Sequence, residues 1–323
     1  NAGQPITQFE ITTSAALKLF AETPADYLLL EVGMGGSFDS TNIVDHPAGV
    51  IITPVDYDHM AYLGNSIAEI AANKAGILKR GSPAVIGRQR DEGLDTIERA
   101  AAKLKITPFV QGRDYDGFPQ DGRLIYQDEA GLLDLPPPAL RGHHQYDNAA
   151  LAVAAVRHFR LPVSEAQMAA GLRHVVWPAR LQPLTGRLRA LLPRGAELWL
   201  DGGHNAHGAA ALALSLEEMQ ARRKKNLVLI VGMMNTRPPA DFLAPFKPMA
   251  PRVLGLGIPG EPNSWPARAI ADAGLSHGLP SKACRSVLSA LRDAAEVPNA
   301  RVVICGSLYL AGDVLARNGT PPE

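Results

Sequence analysis

Apolar residues fall along this chain in two spacings. Three stretches are continuous apolar runs: YLLLEVG (Tyr27 to Gly33), AGVIITPV (Ala48 to Val55) and SPAVIGR (Ser82 to Arg88). Such runs, bounded by glycine and proline, mark strands buried on both faces of a parallel sheet. Between them, apolar positions recur at helical spacing in TTSAALKLFAE, over Ser66 to Leu78 and over Asp91 to Lys105. This βαβα rhythm predicts a doubly wound α/β domain. A more irregular polar stretch runs from Gln111 to Pro138; within it QDGRLIYQDEAGLLDL reads as a hairpin and PPP as its stop. HQYDNAALAVAAVRHF and EAQMAAGLRHVV then read as helices.

WPARLQPLTG (Trp177 to Gly186) is punctuated by proline and glycine, and the pattern restarts after it, which predicts a domain junction. AELWLDGGHN opens a new strand–loop–helix unit. NLVLIVGMM, PRVLGLG and ARVVICGSLYLAGDVLA carry strand signals, and SKACRSVLSALRDAAE reads as an intervening helix. The expectation is a second, smaller α/β domain.

One position breaks the pattern. Ile67, Ile70, Ala71 and Leu78 share a helix face, and Lys74 stands at i+7 in the same series. An ammonium group is thereby turned toward an apolar stripe.

Composition narrows the function classes. The 323 residues suit two domains, and 46% hydrophobic residues supply material for two cores. Lys plus Arg equals Asp plus Glu, 32 each, so no basic surplus recruits nucleic acid or an anionic membrane. A small-molecule ligand and a monomeric chain are expected. No run of about 18 apolar residues is present and no signal peptide is visible. Cys284 and Cys305 sit in apolar surroundings and read as buried free thiols of a reducing cytoplasmic compartment. The chain begins NAGQPITQFE, without an initiator methionine, and reads as the interior of a longer protein.

Ligands of open α/β sheets collect at the carboxyl ends of strands. Four expected strand ends here carry polar, glycine-relaxed loops: Glu31 to Asn42; Asp56, Asp58 and His59; Asp201 to Asn205; and Gly306, Ser307 and Tyr309. Together they read as a site between two domains. The glycines of GMGG invite a dinucleotide reading, but the third glycine of the fingerprint is missing and no helix follows at the needed distance. A Walker-type loop is absent from the 323 residues. Glu31 with Asp56, Asp58 and His59 offers oxygen ligands and one imidazole, a set suited to Mg2+ or Mn2+; equally, Glu31 is a buried acid paired with a base. Lys74 admits three readings: a snorkelling side chain, an ion pair with a carboxylate of the site, or an amine carbamylated by CO2. DGGHN reads either as an Asx-type turn capping a helix that starts near Ala206, or as an anion site with His204 as donor. Arg180 is the natural cation for a nucleotide phosphate, or else half of an ordinary salt bridge.

The set FEITT, LLEVGMGGSFDSTN, DHMAYLG, NKAGI, HQYDNAALA, WPARLQ, LDGGHN and CGSLYLAGDVL, in this order, resembles the folylpolyglutamate synthase/dihydrofolate synthase family of the Mur ligase superfamily. The resemblance implies a P-loop-type doubly wound ATP-binding domain over residues 1–178, here lacking its P-loop segment, which would lie upstream of Phe9. A junction over 179–186 and a smaller Rossmann-like α/β glutamate-ligase domain over 187–323 follow. It implies ATP-dependent joining of L-glutamate to dihydropteroate or a folate through an acyl phosphate. The implied ions are Mg2+, with Mn2+ and K+ as further candidates. By the same resemblance Glu31 and His59 bind magnesium, and Lys74, carbamylated in some members, is a metal and catalytic residue. Gln145 and Asn148 contact adenine, and Arg180, Asp201 and His204 engage ATP and the acyl phosphate. Ser307 and Tyr309 lie near the incoming glutamate. The chain departs from the family at Ser37, where arginine is common, and in PAR and DGGHNAH, which replace PGR and DGAHNP. Ala179 in place of glycine is expected to stiffen the hinge. Two rival readings remain: a dinucleotide oxidoreductase, resting on GMGG alone, and a ligand-binding descendant without turnover, resting on the absent P-loop.

Overall fold

The computed structural model describes residue 3 and residues 5–321. The chain divides into two compact units, residues 1–135 with 147–168, and residues 136–146 with 169–323.

The first unit opens with α1 (Gln8–Glu22), started by a capping box in which Thr7 and Glu10 satisfy each other's backbone N–H groups. No residue of α1 is buried; Phe9, Ile11, Leu19 and Phe20 are 45–60% exposed. Next come β1 (Val50–Ile52), α2 (Met60–Leu63), α3 (Ile67–Ala75), β2 (Ala84–Ile86), α4 (Asp91–Lys103) and β3 (Phe109–Val110). The three strands form a parallel sheet in the order β1-β2-β3. Ile52, Val55, Ile70, Ala71, Leu78, Ile86 and Ile97 share one buried cluster with it. Both predicted helices in this stretch form, and Ser66 with Glu69 makes the capping box of α3.

The run Tyr27 to Gly33, expected as a strand, is not one. It has no regular structure, and Leu29 is 92% exposed. An apolar run becomes a strand only where a neighbour accepts its N–H and C=O groups. Among the described residues the parallel sheet ends at β1, so this run has no partner.

The irregular stretch folds as an antiparallel meander, β4 (Tyr115–Gln120), β5 (Arg123–Asp128) and β6 (Gly131–Leu135). The predicted hairpin is its β5–β6 half. Two helices follow, α5 (His144–His158) and α6 (Glu165–His174). Arg157 of α5 grips Asp128 of β5 through two hydrogen bonds, of 2.7 and 2.8 Å, which ties helix to meander.

The second unit contains β7 (Gln182–Pro183), β8 (Glu197–Leu200), α7 (Ala206–Arg222), β9 (Asn226–Val231), α8 (Pro239–Leu243) and β10 (Arg252–Gly255). It continues with α9 (Ala267–Ser276), β11 (Ser281–Ala283), α10 (Val287–Ala295), β12 (Ala300–Cys305) and α11 (Leu308–Asn318). The sheet order is β11-β10-β9-β12-β8-β7, parallel except for β7, which pairs antiparallel with β8. Successive residues of β9 face opposite ways. Val228 and Ile230 enter one core with α10 and α11, while Leu227, Leu229 and Val231 enter the other with α7 and α9. Helices therefore cover both faces. SKACRSVLSALRDAAE, expected as one helix, opens as edge strand β11; the helix starts only where Ser286 caps α10. The chain moves outward from β9 through β10 to β11, then returns to lay β12 on the other side of β9. That reversal puts a topological switch point between β9 and β12, where ligands of open α/β sheets bind.

Candidate functional site

The switch point is lined by backbone. Gly232 follows β9 and Gly306 follows β12; a Cβ on Gly306 would lie 2.7 Å from Gly232 O, and its φ of 106° admits only glycine comfortably. Gly306 N–H donates to Gly203 O at 3.0 Å, which brings the loop after β8 into the same place. Ser307 is buried and caps α11, its hydroxyl accepting from Tyr309 N–H at 3.1 Å. Tyr309 itself is exposed.

Asp201 directly follows β8. Its Oδ1 accepts from Gly203 N–H at 2.7 Å and its Oδ2 from Leu181 N–H at 2.8 Å. Burial pushes its carboxyl up; the hydrogen bonds from Gly203 and Leu181, and the charges of Arg180 and His204, act the other way. The Nδ1 of His204 lies 3.1 Å from Gly202 O. A carbonyl can only accept, so Nδ1 carries the proton and Nε2 of the neutral ring is its acceptor nitrogen. Asn205 caps α7 by accepting from Gly208 N–H at 2.7 Å, as the Asx-turn reading expects.

Arg180 is exposed, and its two neighbours are not. Ala179 (φ 58°) and Leu181 (φ 42°) both adopt left-handed backbone, a conformation that costs a non-glycine residue roughly 1–2 kcal/mol. Ala179 O accepts from Gly202 N–H at 2.7 Å, and Ala179 N–H donates to the side-chain oxygen of Gln182 at 2.9 Å. Gln182 pairs in register with Leu200, so β7 delivers this turn to the residue just before Asp201. The turn thus brings Arg180 within electrostatic reach of Asp201. Sequence reasoning missed Gln182; its only signal was a side-chain acceptor three residues after Ala179.

In the first unit, Lys74 of α3 is half-buried, while Ile70, Ala71 and Leu78 of the same apolar stripe are buried. Burial pushes its ammonium down, and the Asp58 carboxylate partly offsets that. Asp58 lies 3.9 Å from the imidazole of His59. His59 has left-handed backbone (φ 48°), a strained conformation of the kind that gathers at functional sites. Asp56 is turned away to Arg90, at 2.9 Å. Glu31 is exposed, and its carboxylate makes no hydrogen bond or ion pair with the described residues. With Tyr27 to Gly33 outside any sheet, Glu31 does not stand at a strand end. Among the described residues no three His, Cys, Asp or Glu side chains form a metal-ligating group. Lys74 comes within electrostatic reach of Asp58, the neighbour of His59; Glu31 makes no contact with them through hydrogen bond or ion pair.

The glycine loop has a different job from the one GMGG suggests. Gly35 and Gly36 are buried, and a Cβ on Gly36 would meet Asn73 O at 2.8 Å and Lys74 O at 3.0 Å. Ser37 donates to Asn73 O through its backbone N–H (3.0 Å) and its hydroxyl (3.1 Å). The loop therefore packs on the carbonyl end of α3, the negative pole of a helix. A dinucleotide phosphate needs the opposite pole, so the dinucleotide reading fails.

Gln145 and Asn148 stand one turn apart at the start of α5, Gln145 buried against His144 at 2.9 Å and Asn148 exposed.

Residues 3–156 match the Mur ligase middle domain. The chain is 30% identical to the dihydrofolate synthase/folylpolyglutamate synthase of Bacillus subtilis over 98% of its own length and 73% of the relative's. To the enzyme of that name in Escherichia coli it is 31% identical, over 96% and 69%. Among solved structures, Mycobacterium tuberculosis folylpolyglutamate synthase complexed with ADP and AMPPCP matches with a TM-score of 0.84 at 28% identity, covering 100% of this chain and 75% of that one. The bifunctional folylpolyglutamate synthase/dihydrofolate synthase of Yersinia pestis, complexed with AMPPNP and Mn ion, matches with a TM-score of 0.83 at 28% identity, over 97% and 71%. With a two-unit α/β fold of the Mur ligase kind and this likeness over nearly its whole length, the chain belongs to the dihydrofolate synthase/folylpolyglutamate synthase family.

Proposed function

We infer that this chain works as an ATP-dependent ligase that joins L-glutamate to dihydropteroate or a folate. The acceptor carboxylate attacks the γ-phosphorus of ATP, and the bond to the β,γ-bridging oxygen breaks, releasing ADP. The glutamate amine then attacks the acyl phosphate carbonyl. Phosphate leaves, the amine loses its proton, and an amide remains. Such chemistry needs neutralised phosphates and an oriented amine.

The observation that carries the reading is the cluster at the carboxyl ends of β8 and β12, combined with the family likeness. Arg180 supplies an outward cation for ATP phosphate, and Asp201 sits beside it. His204, its Nδ1–H held by Gly202 O, leaves Nε2 to orient a reacting group near the acyl phosphate. Ser307 and Tyr309 would receive glutamate, and Gln145 and Asn148 would face adenine. A divalent ion, of the kind found with nucleotide in a relative, would be held by His59, with Glu31 and, once carbamylated, Lys74 as further ligands. By donor chemistry an imidazole and a carboxylate suit Mg2+ or Mn2+ that keeps several waters, although among the described residues these side chains do not converge into a three-ligand group. When bound, the ion neutralises phosphate charge. The lowered proton affinity of Lys74 leaves more of the free amine that carbamylation by CO2 requires. A carbamate facing Asp58 puts two anions together, an arrangement that a bound cation relieves.

The test is ADP release by the purified protein. Release is expected only when both glutamate and a pteroate or folate acceptor are present. Release with a muramyl peptide precursor instead moves the chain to a neighbouring ligase branch.

A further inference from the structure

We propose that Gln182 is a positioning residue, whose side-chain carbonyl closes the left-handed turn that presents Arg180 outward. The proposal rests on the reading of Arg180 as a phosphate ligand. Ala179 packs into the core on one face of the second unit's sheet and Leu181 into the core on the other. A residue between two anchors buried on opposite faces has one direction left, away from the sheet edge, and Arg180 is exposed there. Neither anchor is glycine, so the left-handed backbone at both has to be held by its surroundings.

Three hydrogen bonds hold it. Gly202 N–H donates to Ala179 O, Leu181 N–H donates to Asp201 Oδ2, and Ala179 N–H donates to Gln182 Oε1. The second uses one oxygen of Asp201 while Gly203 takes the other. Asp201 therefore serves the same turn, and Gln182 closes the end that Asp201 does not reach. The Gln182 backbone is fixed opposite Leu200 by the β7–β8 pairing, so its side chain is a strut from a rigid strand to a strained turn. Without the strut, Ala179 N–H loses its acceptor and the turn can relax toward ordinary backbone, taking Arg180 with it.

The experiment compares Gln182→Met, Gln182→Glu, Arg180→Ala and the double variant Arg180→Ala/Gln182→Met in the intact protein. ATP binding is titrated calorimetrically without other substrates, beside KM for glutamate and the thermal midpoint. Gln182→Met is expected to weaken ATP binding about tenfold, with KM for glutamate unchanged. Gln182→Glu, which keeps an acceptor, should restore it, and the double variant should bind no worse than Arg180→Ala. ATP affinity at the wild-type level in Gln182→Met, while Arg180→Ala loses it, overturns the positioning role alone. An Arg180→Ala protein that binds ATP normally overturns the phosphate reading and this proposal with it. If ATP affinity and thermal midpoint fall together in Gln182→Met while KM for glutamate rises, the side chain is structural only and the proposal fails.

Discussion

Lys74 carries the sharpest contrast between a structural and a chemical role. A lysine that only snorkels is dispensable, so removing it should change stability by no more than about 0.5 kcal/mol. A lysine that serves the site should cost turnover instead. Lys74→Ala is expected to lower kcat by about 10²-fold or more, with a thermal midpoint close to wild type; steady-state kinetics and calorimetry on the same sample check both. Burial holds its folded pKa below 10.5. In the window between the two values the unfolded chain binds more protons, so this group makes stability rise with pH there. The two thiols behave in the opposite sense. Burial, with the Asp293 carboxylate at 3.3 Å, pushes Cys284 up to about 11 from an ordinary 9.0, and burial also raises Cys305 well above its ordinary value. Alkylation of the native protein at pH 8 should therefore be negligible at both and increase at Cys284 as pH approaches 11, which mass spectrometry can follow. The inward turn of Lys74 was legible because i+7 in an apolar stripe has one geometric meaning. The left-handed backbone of Ala179 and Leu181 was not, because neither residue type announces it; only the alanine where the family commonly has glycine pointed there.

Helix α3 shows how much a short element owes to its ends. Its capping box satisfies N–H groups at the amino end, and Ser66→Ala should destabilise the protein by about 1 kcal/mol, read by chemical denaturation. At the other end Gly76 touches the glycine loop: a Cβ there would lie 2.0 Å from Ser37 Oγ and 2.7 Å from Ser37 Cα. Backbone cannot yield as a side-chain tip can, so Gly76→Ala should cost about 1–3 kcal/mol, and the loss should appear as a lowered thermal midpoint. The capping box could be read from Ser66 and Glu69 alone, since it is local. Tyr27 to Gly33 and Ser281 to Ala283 were misread for a common reason. Whether a segment is a strand depends on an edge supplied by another part of the chain, and residues within the segment do not encode that edge.

At the scale of the whole molecule, the amino ends of the second unit's strands are bound by a buried charge network. Glu197 of β8 meets Arg301 of β12 at 2.8 Å and Lys225, just before β9, at 3.6 Å; both cations are almost fully enclosed. Burial alone would raise the Glu197 carboxyl, but hydrogen bonds from Arg301 and Trp199 and the neighbouring cations hold it below its ordinary 4.5. Its contribution to stability is present above that value and lost as pH falls through the lower folded one. Glu197→Ala leaves two enclosed cations without their carboxylate and should cost about 3–5 kcal/mol by denaturant titration. The opposite, carboxyl ends carry the glycine-relaxed loops of Asp201, His204 and Ser307, so one sheet separates a charge-bound end from the candidate site. That division was legible from glycine-relaxed loops following apolar runs, while the charge network was not, since Arg301 lies 104 residues from Glu197 and nothing local pairs them. The sheet's order also governs how the protein is made. The strand synthesised last among the described residues, β12, belongs in the middle, between β8 and β9. During translation those two strands wait with their inner edges open, a state that invites pairing with the wrong chain and makes the nascent second unit a client for chaperones.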